Sequence, residues 1–226
     1  MARVTKPGAN RRPAAERVTP ASGRGQRTRQ ALVSAARTVF ERDGYLNARI
    51  TDIAAEAHVA SGSFYTYFNS KEEIFDALVE SVEEDMLHLH VRERLGDDDP
   101  RTLISGANED YLKAYERNAR LMAVFEQVAQ IDDHFHALRL RRSEAFLRRN
   151  AKMIEELQAR GEADAELDPL VTAEALSWMV SRMAYSVFSL GRSIPMDVLV
   201  ATLNRLWLNA LRIPEPVASA LDEPGE

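Results

Sequence analysis

Between Ser61 and Lys71 the chain gathers hydrogen-bonding groups of two kinds. Ser61, Ser63 and Thr66 are small hydroxyls beside Gly62, which has no side chain, while Tyr65, Tyr67 and Lys71 are long donors. None of these hydroxyls has a general base in a recognisable motif, so no activated nucleophile is expected. Small residues let a helix come close to a base edge, and phenols and an ammonium reach phosphate oxygens. The chemistry offered is recognition rather than bond making.

The rest of the chain adds little that is reactive. With no cysteine there is neither a disulfide framework nor a thiol nucleophile nor a thiolate metal site, which fits a cytoplasmic protein. His88 and His90 are two apart, as are His134 and His136, so the members of each pair face apart on a helix. Neither pair has a third ligand at the spacing zinc needs. No phosphate loop, dinucleotide loop or hydrolase elbow occurs. We therefore expect no cofactor, no metal and no enzyme activity.

The elements that must position the 61–71 groups are short helices. Ile50, Ile53, Ala54 and Ala57 repeat at helical spacing, and after a tight break Phe64, Tyr65 and Phe68 mark the inner side of a second helix. Two such helices across a short turn read as a helix-turn-helix, whose second helix enters a major groove. Upstream, residues 27–43 carry an apolar stripe of Ala31, Leu32, Ala35, Val39 and Phe40 that stops at Gly44. This helix cannot bury its stripe alone and should pack across the pair as a three-helix head. Thr28 and Arg29 fall in its first turn, where free amides favour a phosphate. Residues 1–24 are rich in Pro, Gly, Ala and Arg and read as a disordered basic arm, either a plain tail or one lying on DNA.

Charge supports that orientation. The net charge is −6, yet residues 1–30 hold eight basic residues against Glu16, a local +7 that leaves −13 on the remainder. An acidic body with a basic end approaches DNA end first. No run approaches the roughly 18 apolar residues of a membrane span, and the basic N-terminus lacks the apolar core of a signal peptide.

Ser70 and Glu73 form a capping box for a fourth helix with Ile74, Phe75, Leu78, Val82, Met86 and Leu89 at core spacing. This helix starts at the head and ends in the body, so a tilt moves the head. After a break over residues 96–100, Asp99 and Pro100 open a fifth helix with Leu103, Ile104, Tyr111, Leu112 and Tyr115. A sixth carries Leu121, Met122, Val124, Phe125 and Val128. Asp132 and Asp133 lead into a seventh that stops at Gly161 and bears a basic run from Arg139 to Arg149, either a solvated face or a seat for an acidic ligand tail. Asp168 and Pro169 start an eighth helix closing near Gly191, and a ninth runs from about Pro195 to Leu211. These last two are apolar on more than one face, which suits a homodimer paired through them. The expected fold is all-α with about nine helices: an arm (1–24), a helix-turn-helix domain (25–70), a ligand-binding and dimerisation domain (71–213) and a flexible tail (214–226).

The run FERDGYLNARITDIAAEAHVASGSFYTYFNSKEEIF, residues 40–75, resembles the head of the TetR family of bacterial transcriptional regulators, matching at Gly44, Tyr45, Ile50, Ile53, Ala54, Ala57, Val59, Gly62, Ser63, Phe64, Tyr65, Tyr67, Phe68, Ser70, Lys71 and Glu72. Three positions depart from its pattern. Arg49 stands at the N-cap of the second helix, where the family has Ser or Thr, which leaves Thr51 or Asn47 to cap it instead. His58 replaces a Gly expected at positive φ, and Ala60 replaces a capping Ser, a change worth roughly 1 kcal/mol. The resemblance implies that Tyr65, Tyr67 and Lys71 face phosphates, although position alone leaves Tyr65 equally a core aromatic and Lys71 a solvated side chain. Ser61, Gly62, Ser63 and Thr66 are the base-reading candidates, with Thr28 and Arg49 completing the DNA-binding set. No Arg, Asn or Gln lies on the reading face, so specificity should lean on close fit, methyl contacts, water and DNA shape.

The family arrangement also implies a cavity among the body helices. Tyr111, Tyr115, Met122, Phe125, Phe146, Trp178, Met179 and Met183 are the candidate lining, with Arg182 as a carboxylate anchor or an interface ion-pair partner. Such a lining suits a hydrophobic effector, acyl-CoA, steroid-like or aromatic. The expected function is a ligand-responsive transcriptional regulator, a repressor by family habit, that binds a pseudo-palindromic operator as a dimer. The alternative is a helical ligand- or partner-binding dimer without sequence-specific DNA binding.

Overall fold

The computed structural model describes residues 23–88 and 99–214, those at 83–88 by backbone alone. Among them every regular element is helical: α1 (Gly23–Asn47), α2 (Ile50–Glu56), α3 (Ser61–Phe64), α4 (Lys71–His88), α5 (Pro100–Ala129), α6 (Asp133–Ala159), α7 (Pro169–Ala184), a π-helical turn (Tyr185–Ser189) and α8 (Met196–Ala210). Most of the expected arm and tail, together with Leu89, His90 and residues 96–98 of the expected break, lie outside the described residues. None of the described helices is long and apolar enough to cross a membrane.

The head forms because α1 cannot hide its stripe alone. Leu32, Val33, Ala35, Ala36, Val39 and Phe40 are buried, joined by Ile53 and Ala54 of α2, Phe64 of α3 and Phe68 beyond it. Ala31 is exposed, and Val33 and Ala36 take the place expected of it. A fully buried phenylalanine such as Phe40, Phe64 or Phe68 contributes about 1.5–3 kcal/mol by leaving water. Helix α1 is longer than expected at both ends. It begins at Gly23, and past the predicted stop it kinks at Gly44 (φ 73°, ψ 164°), a left-handed conformation that glycine adopts without strain, before one more turn to Asn47.

The fifth and sixth helices of the sequence reading are one continuous helix, α5. No glycine or proline separates Tyr115 from Leu121. Asn118, the one residue there that often breaks a helix, is buried and donates from Nδ2 to the Ala114 carbonyl 2.9 Å away. The body therefore has one fewer helix than expected.

Carboxylate caps start the body helices. Asp99 accepts from the Arg101 amide at 3.3 Å, Asp132 from those of His134 and Phe135 at 2.9 and 3.2 Å, and Asp168 from that of Val171 at 2.8 Å. Prolines follow Asp99 and Asp168 as first helical residues. Helix α5 is the axis of the molecule, packing against α1, α4, α6, α8 and the π turn, while α6 packs along α7. Trp207 of α8 is buried, whereas Trp178 of α7 is exposed.

Candidate functional site

Helix α3 owes its presentation to two phenylalanines. Phe64 and Phe68 are fully buried, which turns Ser61, Gly62, Tyr65 and Thr66 outward and leaves Ser63 and Tyr67 half-buried. Helical bonding ends at Phe64, earlier than expected. The chain continues as tight turns, with the Thr66 amide donating to Ser63 O at 3.2 Å and those of Tyr67 and Phe68 to Phe64 O at 2.9 and 3.0 Å. Tyr65, left open between surface and core, is 59% exposed. Nothing inside the protein requires glycine at position 62, where an added Cβ would meet no atom within 4 Å and φ is not positive.

The three departures have visible consequences. Arg49 is the N-cap of α2, exposed and without a capping bond from its side chain. Neither expected substitute caps the helix: Asn47 donates back to Asp43 O at 3.2 Å, and the Thr51 hydroxyl faces Asp52 at 3.5 Å. His58 adopts φ 55°. Its amide donates to Ala55 O and that of Val59 to Ala54 O, both at 3.0 Å, closing α2 with a Schellman motif around a non-glycine residue. Ala60 begins α3 with no side-chain cap.

Lys71 is held inward. Its Nζ donates to the carbonyls of Tyr45, Ala48 and Leu46 at 2.8, 3.2 and 3.5 Å and lies 4.6 Å from the Tyr45 ring centroid. The ammonium thus satisfies carbonyls left open where α1 ends. Thr28 also differs from expectation. With α1 beginning at Gly23 it lies beyond the first turn, and its hydroxyl donates to Arg24 O at 3.1 Å, so the argument from free amides no longer applies to it. Arg29 sits over the Phe68 ring at 4.9 Å. The capping box is displaced by one residue on its return side. Ser70 accepts from the Glu73 amide at 3.2 Å, but Glu73 reaches the amide and side chain of Asn69 at 2.7 and 2.8 Å.

An aromatic joint lies behind the head. Phe75 of α4 meets Phe40 at 5.0 Å, Tyr45 at 4.9 Å and Phe135 of α6 at 5.0 Å. The Tyr45 hydroxyl donates to Glu72 at 3.3 Å, and burial beside that carboxylate pushes the phenol well above its ordinary range. Arg37 of α1 donates to Arg117 O of α5 at 3.0 Å, a second bond between head and body.

The nine proposed ligand residues are spread over α5, α6 and α7. Tyr111, Tyr115 and Phe146 make a stack, Tyr111 lying 6.0 Å from Tyr115 and 5.8 Å from Phe146, and Phe188 of the π turn extends it, 6.3 Å from Tyr115. Burial raises the Tyr115 phenol to about 12, against a hydrogen bond with Ser189 that lowers it. Phe125 belongs to the joint, 6.5 Å from Phe75, and Met122, Met179 and Met183 are half-buried against the core. Trp178 and Arg182 stand apart, exposed on α7. Trp178 edges an open groove of about 640 Å³ between α6 and α7, with Leu140, Leu147, Arg148, Lys152 and Leu170 among its walls. Arg182 covers the Tyr185 ring at 5.3 Å. The tie between His134 and Asp76 and the closed-off guanidinium nitrogen of half-buried Arg149 were missed; Arg149 follows Phe146 by three residues on α6, a spacing hidden inside a run read only as charge.

A helical body carrying an exposed recognition turn on a three-helix head, the two sharing one apolar core, defines a DNA-binding regulator of the helix-turn-helix class. Residues 32–78 match the model for bacterial regulatory proteins of the tetR family, and residues 106–212 match the C-terminal domain of the transcriptional regulator EthR. The chain is 30% identical over 154 residues to the HTH-type transcriptional regulator TtgR of Pseudomonas putida, covering 62% of this chain and 72% of TtgR. Among solved structures it is similar to a TetR-family regulator from Syntrophomonas wolfei, with TM-score 0.70 and 19% identity over 85% of this chain and 98% of that one. It is also similar to the fatty acid degradation regulator FadR of Bacillus halodurans, with TM-score 0.68 and 21% identity over 83% and 97% of the two chains. The chain belongs to the TetR family of bacterial transcriptional regulators. It is a dimeric, ligand-responsive, non-catalytic DNA-binding protein of a family whose usual action is repression.

Proposed function

We propose that this regulator binds a pseudo-palindromic operator through two heads, reads it with Ser61, Gly62, Ser63 and Thr66, positions itself with Tyr65, Tyr67 and Arg49, and is released by a hydrophobic small molecule held in the body. The observation that carries the reading is Gly62. It sits in the middle of an exposed face with no internal reason to lack a side chain, as close approach to an outside surface requires. Release is a shift between two head spacings, so the effector must bind one conformation more tightly than the other.

Pairing of protomers through α7 and α8 is supported by exposed apolar side chains on both helices: Leu170, Val171 and Trp178 on the first, Val198 and Leu206 on the second. Two heads related by such a two-fold axis match half-sites about one helical turn, or a multiple of it, apart.

Selection of bound duplexes from a random pool tests the proposal. A two-fold-symmetric site should emerge, bound at least about a thousandfold more tightly than a scrambled duplex. Tyr65→Phe should weaken binding to all duplexes alike, whereas Thr66→Ala should change which duplexes are selected. Equal losses on selected and scrambled DNA for both variants would refute the division of roles.

A further inference from the structure

Among the described residues, Arg149 of the body is half-buried with no anion paired to it. Arg149 follows Phe146 by nearly one turn of α6, and its guanidinium carbon lies 5.4 Å from the centre of that ring. Its Nη2 is closed off from solvent and has no hydrogen-bond partner. Other arginines of the same basic run are engaged. Arg139 reaches Glu126 at 3.4 Å, Arg148 pairs with Glu144 at 2.6 Å, and Arg142 covers Phe125 at 5.2 Å. Only burial acts on the Arg149 guanidinium, drawing it below its usual range with no carboxylate to offset the effect. A half-buried charge and an unmet, closed-off N–H both cost stability, so a fold that keeps them is held ready for a partner of opposite sign.

The surroundings say what else that partner carries. From Arg149 an aromatic strip runs across three elements: Phe146 on α6, Tyr111 and Tyr115 on α5, and Phe188 on the π turn, with successive ring centres 5.8, 6.0 and 6.3 Å apart. π-helical turns of this kind occur often at functional sites. A guanidinium's planar fork matches a carboxylate's two oxygens, and the strip matches an apolar chain or ring. We infer that Arg149 anchors the carboxylate of the effector, an amphipathic organic acid whose apolar part lies along Phe146, Tyr111, Tyr115 and Phe188. The inference rests on the proposed hydrophobic effector and adds its charge and orientation. It also moves the anchor from Arg182, which is exposed on α7, to α6. Because Nη2 is shut off, an acid reaches it only if α6 or its side chains shift, which makes binding a conformational event.

The test uses the full-length protein with two matched pairs of probes, decanoate with decan-1-ol and 4-phenylbutyrate with 4-phenylbutan-1-ol, read by calorimetric binding and by melting temperature. Wild type should bind at least one acid roughly ten- to a hundredfold more tightly than its alcohol, the range of a charge-assisted hydrogen bond. Arg149→Met should erase that preference while leaving the alcohol's affinity unchanged, and Arg149→Lys should restore part of it. Without ligand, Arg149→Met should melt no lower than wild type, because it keeps the stem and removes the desolvated charge; a lower melting temperature would mark a structural arginine and overturn the assignment. Acid preference surviving in Arg149→Met overturns it too. Acids and alcohols that bind alike and release DNA overturn the anchor but leave the hydrophobic effector standing. If no probe binds wild type that still binds its operator, the anchor falls, and the effector reading then rests on DNA release by other compounds.

Discussion

Nε2 of His134, in the first turn of α6, lies 2.8 and 2.9 Å from the two carboxylate oxygens of Asp76 on α4. The neighbours of this pair in sequence, Phe135 and Phe75, meet 5.0 Å apart in the aromatic joint. A polar tie and an apolar contact thus fix the start of α6 against α4, the helix that follows the head. A displacement of α6 would meet α4 through these four side chains and α1 through the Tyr45–Phe135 ring contact at 5.9 Å.

His134→Ala and Asp76→Asn should each lower stability by less than about 1 kcal/mol, since both side chains are substantially exposed. Their effect on regulation should be larger than their effect on stability. In a double-mutant cycle on effector-driven DNA release, measured by fluorescence anisotropy of a labelled operator, the two should be non-additive. Additive effects would mean that the pair does not transmit.

Lys71→Met leaves three carbonyls at the end of α1 without their donor. A loss of about 1–3 kcal/mol is expected, visible as a lower melting temperature. DNA affinity should fall in proportion to head stability on every sequence, with the slope of affinity against salt unchanged, because no phosphate contact is removed. A shallower slope would restore Lys71 to the DNA surface.

The head carries two correctable local costs. Ala60→Ser supplies a cap that α3 lacks, worth about 1 kcal/mol. His58→Gly relieves a side chain held at φ 55°. Both variants should resist thermal unfolding better than wild type, and hydrogen exchange should slow at the amides of residues 61–64. Unchanged exchange would show that the departures from the family pattern cost nothing.

Glu72 gives a sign for acid sensitivity. Burial pushes its carboxyl up, but the amide at the helix start, the Ser70 hydroxyl and the Tyr45 hydroxyl together outweigh that and hold it below the ordinary glutamate range. The bonds that hold it down favour the ionised folded state, so the stabilisation is fully present above the ordinary glutamate value and is lost as pH falls through the lowered one. Glu72→Gln should flatten the acid limb of the stability profile and leave its slope near neutral pH unchanged. The increment is small, roughly half a kcal/mol, because the side chain is mostly solvated.

The head was legible because its signals are local. Apolar spacing in α1 and α2 follows from residues a few places apart, Gly44 marks a kink rather than the stop expected there, and the positive φ at position 58 is implied by the family resemblance and present in the structure. Errors arose where distance in sequence hid proximity. Lys71 finds its acceptors more than twenty residues upstream, and no local pattern announces them. The expected break before Leu121 is absent because the residues there carry no stop. In the body, types alone could not sort inner from outer positions: Trp178 and Phe146 look alike as large aromatics, yet only Phe146 joins the stack.

The two tryptophans of the chain occupy opposite solvents. Trp207 is 4% exposed and Trp178 54%. With the pairing through α7 proposed above, the protein would contain its own optical gauge of assembly: iodide should quench an uncovered Trp178 and spare Trp207, and the quenchable share of emission should drop when a second protomer covers α7. Diluting the protein and following that share would measure the dimer's dissociation constant with no label attached.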